Sequence, residues 1–97
     1  MNMQALMQQA QKMQRDITKK KEELNKMEFN GSSELVDVVF TGDKKVKSIK
    51  IKDGIESDDV EILEDMLMIA INDAMGKIDK EAEKLLGAYG NQFGGLF

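Results

Sequence analysis

The sequence predicts an α+β fold: a long helix, a small antiparallel sheet of two or three strands, and a second long helix. Three observations predict it. Residues 3–27 show helical apolar spacing with no Gly or Pro, residues 34–52 alternate apolar and polar side chains around a Gly-containing turn, and residues 57–86 return to helical spacing. With 97 residues, 41% hydrophobic and 33% charged, the chain has the length of one domain and the balance of a globular protein.

In the first helix Met3, Leu6, Ala10, Met13, Ile17, Leu24 and Met27 follow steps of three and four residues, with Lys20 breaking the seam. Gln, Lys, Glu and Met, all good helix formers, fill the rest. At 1.5 Å per residue it is about 37 Å long. Phe29-Asn30-Gly31-Ser32-Ser33 reads as a turn, with a short extra strand over Met27-Glu28-Phe29 before it. Glu34 to Phe40 reads as a strand with Val36, Val38 and Phe40 on one face. Thr41-Gly42-Asp43-Lys44 reads as a hairpin loop with Gly42 supplying a positive φ. Lys45 to Lys52 is the return strand, Ile49 and Ile51 inward, Lys50 and Lys52 outward. Ser57 or Asp58 caps the second helix, with Asp58 and Glu61 spaced as a capping box. Five acids from Asp58 to Asp65 crowd its first turns, where the helix dipole favours them. Gly87 is the expected stop, which makes 1–86 one domain and 87–97 a Gly-rich flexible tail.

Composition excludes much chemistry. There is no Cys, His, Trp or Pro. Disulfides, thiol nucleophiles, the usual zinc ligands and the commonest neutral-pH general base are therefore missing. No enzyme, metal site or cofactor is expected. The opening residues have no charged-then-apolar leader pattern, and the longest apolar run, Met66 to Ile71, is far below the ~20 residues that span a bilayer. A cytoplasmic protein without membrane contact is expected.

The second helix is apolar nearly all round. Val60, Leu63, Leu67, Ala70, Ile71, Ala74, Ile78 and Leu85 form the expected core stripe, and Ile62, Met66 and Ile69 lie opposite it. One small hairpin cannot cover both faces of a helix that outruns it. A homodimer with Ile62, Met66 and Ile69 in its interface follows as the expectation, against a monomer with both helices stacked on one sheet face.

The net charge of −4 is uneven. Residues 1–27 carry six basic and three acidic side chains, and residues 57–97 carry three and nine. On a helical wheel Lys12, Arg15, Lys19 and Lys26 share an arc opposite the first apolar seam, and Lys77, Lys80 and Lys84 share one on the second helix. If the helices pack antiparallel, Lys12 and Arg15 come near Lys77 to Lys84. Ordinary solvated faces and phosphate-binding stripes both fit this pattern.

The residues resemble the YbaB/EbfC nucleoid-associated proteins of bacteria. The resemblance rests on Gln9-Ala10-Gln11-Lys12-Met13-Gln14, on Leu35-Val36-Asp37-Val38 with Gly42 and Ile49-Lys50-Ile51, on Leu63-Glu64-Asp65-Met66-Leu67 with Ala70, Asn72-Asp73-Ala74 and Lys77, and on the Gly-rich end. It covers essentially the whole chain. Lys52-Asp53-Gly54 stands where members often carry Asp-Pro. The resemblance implies an α-β-β-β-α protomer, a tweezer-like homodimer, and binding of double-stranded DNA with little sequence preference in the nucleoid, in the service of nucleoid organisation and gene expression. Lys12, Arg15, Lys19, Lys26, Lys77, Lys80 and Lys84 are then the expected phosphate contacts. A protein-interaction adaptor of a DNA repair or replication complex is the alternative.

Overall fold

A computed structural model describes residues 2–90, with the side chains of 88–90 left aside. The order is helix α1 (Met3–Lys26), strands β1 (Glu28–Ser32), β2 (Val36–Thr41) and β3 (Val46–Ile51), a single 3-10 turn (Ser57–Asp59) and helix α2 (Val60–Gly90). The strands form one antiparallel sheet in the order β1-β2-β3. The expected α-β-β-β-α architecture is therefore present.

Close backbone contact positions α2. A Cβ on Gly31 would overlap the Ala70 carbonyl oxygen and come within 2.8 Å of the Ala74 Cβ. Only a residue without a side chain lets α2 lie this close to β1, and Ala70 and Ala74, both fully buried, present the smallest side chains to it. This contact explains why Asn30-Gly31-Ser32 is strand rather than the expected turn: the glycine is there for approach, not for reversal. Phe29, Val36, Val38, Phe40, Ile78, Ala82 and Leu24 complete the core around it.

Gly42 plays the same part for α1. A Cβ there would overlap the Leu24 carbonyl oxygen, and the Gly42 amide donates to the Met27 carbonyl (3.0 Å) where α1 passes into the sheet. The positive φ expected of Gly42 falls instead on Lys44, at 64°. Lys44 closes the turn through its amide to the Thr41 carbonyl (2.9 Å) and reaches Asp79 on α2 (3.4 Å). The Thr41 hydroxyl donates to Asp43 and holds that carboxyl below its ordinary pKa.

The helix ends differ from expectation. Asn2 caps α1 by accepting from the Gln4 amide (3.0 Å). The 3-10 turn before α2 starts at Glu56, whose amide donates to Asp59 Oδ2 (3.2 Å) while the Asp59 amide donates to the Glu56 carbonyl (2.9 Å), so Asp58 and Glu61 are not the pair that starts it. At the other end α2 runs through Gly87 to Gly90. The remainder of the expected tail lies outside the described residues.

The buried stripe of α2 also differs. It follows Ala70, Ala74, Ile78, Ala82 and Leu86, every fourth residue, and so turns about 40° around the helix at each step. Met66 is one step earlier on that line and is part-buried against the core, not on a free face. Val60, expected in the core, is exposed.

α2 covers β1 and β2 and leaves β3 bare. Ile49 and Ile51 pair with Val38 and Val36 and share their face of the sheet, yet Val46, Ile49 and Ile51 keep 43–52% of their surface exposed. A register irregularity between Val39 and Phe40 accommodates Lys47, whose ammonium reaches Glu28 on β1. The described residues extend 69 × 20 × 14 Å with a radius of gyration of 18.9 Å. A compact chain of this length would have about 13 Å. Both helices project far beyond the sheet.

Gly31→Ala is expected to cost about 2 kcal/mol or more and lower the melting temperature by about 10 °C, because backbone on both sides must give way. Gly76→Ala, which meets nothing within 4 Å, is the control and should raise it by several degrees through helix propensity. Thermal melts followed by circular dichroism read both.

Candidate nucleic-acid interface

The two helices run antiparallel as two arms of unequal reach. Lys21, Leu24 and Asn25 of α1 line one groove with Ile78, Ala82 and Leu86 of α2. Ile17 is the first buried residue of α1; every described residue from Asn2 to Lys12 is exposed. The outer three turns of α1 therefore stand clear of the rest of the protomer.

This register changes which basic residues meet. Lys77, Lys80 and Lys84 lie level with the inner part of α1, from about Lys19 to Lys26. Lys12 and Arg15, expected beside them, lie further out because the apolar contact of Leu24 with Ile78 and Ala82 slides α2 toward the sheet.

Lys12, Arg15, Lys19, Lys26, Lys80 and Lys84 are all exposed, and none makes an ion pair among the described residues. At about 100° per residue the four α1 cations lie opposite the line of Ile17 and Leu24 that packs inward. Lys77 differs. Its ammonium donates to the Asn30 carbonyl (2.7 Å) and lies 3.6 Å from Asp73 Oδ2, which itself accepts from the Ser32 amide (3.0 Å). Lys77 and Asp73 thus pin β1 to α2. Nothing in a helical wheel reveals this role, since the β1 backbone groups that Lys77 and Asp73 hold lie 47 and 41 residues earlier.

Helix sidedness separates two uncovered apolar surfaces. Asp73 and Lys77 face β1, whereas Asp79 faces Lys44 at the β2–β3 turn. On the same wheel Ile62 and Ile69 fall beside Asp73, and Met68 falls beside Asp79. Ile62 and Ile69 therefore lie on the β1 flank, each about half exposed. Met68 lies on the other flank, and Val46, Ile49 and Ile51 of β3 form a separate exposed apolar surface. This second surface was missed because alternation marks a strand face as apolar without saying whether a helix reaches it.

Among the described residues no group of three His, Cys, Asp or Glu side chains could hold a metal ion, and no helix is long and apolar enough to cross a membrane.

A projecting outer α1 and exposed cations along both helices suit a nucleic-acid-binding class of protein. Residues 1–93 match the family model described as the YbaB/EbfC DNA-binding family, and the chain belongs to that family. It is similar to a nucleoid-associated protein of Ligilactobacillus salivarius, 44% identical over 99% of this chain and 95% of that protein. A nucleoid-associated protein of Enterococcus faecalis is 46% identical over 91% and 88%. One of Streptococcus suis is 47% identical over 92% and 93%. The family and these relatives are named for DNA binding and nucleoid association, not for an enzymatic reaction.

Lys77→Gln should lower stability by about 1 kcal/mol, through loss of a charged hydrogen bond to backbone, whereas Lys80→Gln should leave it unchanged. Chemical denaturation of the two variants compares them directly.

Proposed function

We propose that the protein is a homodimeric nucleoid-associated DNA-binding protein of the bacterial cytoplasm that grips duplex DNA with low sequence specificity through phosphate contacts from its two basic helix faces. The observation that carries this reading is the set of six exposed cations, Lys12, Arg15, Lys19, Lys26, Lys80 and Lys84, which no acid neutralises by pairing among the described residues. The sequence places Lys77 with them, and its engagement with Asn30 and Asp73 leaves it the smallest share.

An acidic chain can do this because its charges are separated. From Asp65 to Lys84 along α2 is about 28 Å at 1.5 Å per residue. At 0.1 M salt the screening length is about 10 Å, so the acids at the start of α2 do little to weaken the field. It is strongest at the outer part of α1, with no acid before Asp16, and weaker at Lys80 and Lys84, which sit among Asp79, Glu81 and Glu83.

The dimer completes the protomer by covering apolar surface. The β3 surface of Val46, Ile49 and Ile51 joins a sheet face to an open strand edge, which favours it as the interface. The Ile62 and Ile69 flank, with Met66 beside it, is the rival. Light scattering should give twice the chain mass of 10.9 kDa. Ile49→Lys should yield a folded monomer, and Ile69→Lys should not. The reverse pattern moves the interface to the β1 flank, and a monomeric native protein removes the tweezer.

DNA binding is read by its salt dependence. With about five to seven phosphate contacts, the plot of log K against log salt should slope at roughly −5 to −6. Lys12→Glu with Arg15→Glu should weaken binding to all duplexes alike and flatten the slope by about two, with the melting temperature unchanged. A correctly formed dimer that binds no DNA at low salt would favour the adaptor reading.

A further inference from the structure

Phosphate contacts leave one feature of α1 unused. Residues 1–15 contain no acidic side chain and five glutamines, Gln4, Gln8, Gln9, Gln11 and Gln14. None of these glutamine side chains makes a hydrogen bond among the described residues. At about 100° per residue Gln4, Gln8, Gln11 and Arg15 fall within an arc of about 60°, on the side opposite Ile17 and Leu24. Lys12 and Lys19 lie together along one side of that arc.

We infer that the outer part of α1 enters the major groove of duplex DNA and reads base edges with Gln4, Gln8 and Gln11, while Arg15 keeps its phosphate contact. The inference rests on the phosphate-contact reading above and deepens it from holding the backbone to reading sequence. Three features support it. First, the arm is bare on all sides from Asn2 to Lys12, and a helix about 10–12 Å across fits a groove about 12 Å wide only when nothing else is attached to it. Second, the residue types suit the task. A glutamine amide donates through its NH2 to adenine N7 and accepts through its carbonyl oxygen from adenine N6–H. Third, the spacing suits it. Gln4 to Gln11 spans about 10 Å of helix, roughly three base-pair steps of 3.4 Å, with Lys12 and Lys19 along one side to meet the phosphates of one strand.

Neutral glutamines contribute nothing to counterion release, so the two kinds of contact separate experimentally. The full-length native protein is used to select from a pool of random duplexes at moderate salt. Fluorescence anisotropy then compares the best selected duplex with a scrambled one. Native protein should favour the selected duplex, rich in adenine on one strand, by at least about fivefold. Gln8→Ala with Gln11→Ala should bring that ratio near one, while affinity for the scrambled duplex stays within about twofold and the salt slope is unchanged. Alanine is the best helix former and both sites are exposed, so folding is preserved, which circular dichroism verifies. Salt-sensitive binding with no enrichment, or a double variant that keeps the preference, overturns base reading and leaves phosphate binding standing. No binding to any duplex at low salt overturns both.

Discussion

The contact of Gly31 with Ala70 and Ala74 governs the rest of the molecule. It brings the α2 backbone against β1, and a helix held that close over one edge of a three-stranded sheet cannot also reach the other edge. β3 is left bare for that reason, and its isoleucines become surface despite facing the same way as buried valines. The same contact fixes the direction of α2, and with it the antiparallel path of α1, which is tied down only at its inner end by Gly42 and Leu24. Lys77 and Asp73 then secure the opposite flank of α2 through backbone groups of β1. Apolar packing, two tight glycines and a few polar pins are concentrated at one end of a 69 Å molecule. The other end is free to be surface.

That division sorts the charges. Acids gather at the start of α2, where its dipole stabilises them. The outer part of α1 carries cations with no acid before Asp16, and the far part of α2 mixes Lys77, Lys80 and Lys84 with Asp73, Asp79, Glu81 and Glu83. Net charge over the chain is therefore a poor guide to its partner. What matters within a screening length of the arms is Lys12, Arg15, Lys19 and their neighbours, and that region contains few acids. Residue choice along the arm is equally uneven: glutamines on the outer line, Lys12 and Lys19 to one side of them, methionines and leucine on the inner line.

Both helices and two of the strands were legible in the sequence because periodicity reports them locally, and the family resemblance was legible because it spans the chain. Less legible were features decided by partners far away in sequence. Gly31 reads as a turn residue until α2 is seen against it, and Gly42 reads as a left-handed position until Leu24 is seen against it. Met66 reads as a free face because a fixed wheel does not anticipate a buried line that drifts around the helix. Of the expected phosphate contacts, six stand exposed as periodicity placed them, and the wheel could not show that Lys77 is held by a β1 carbonyl. Nor could it show the relative slide of the two arms, which depends on how Leu24 seats against Ile78 and Ala82.

The central claim is that the projecting arms, not the sheet, meet DNA. Nuclear magnetic resonance titration of the labelled protein with a short duplex at low salt tests it most directly. Amide shifts should concentrate at residues 4–19 and around Lys80 and Lys84, leaving Val46 to Ile51 unmoved. Shifts centred on β3 and the lysines beside it, with the outer half of α1 silent, would contradict the account.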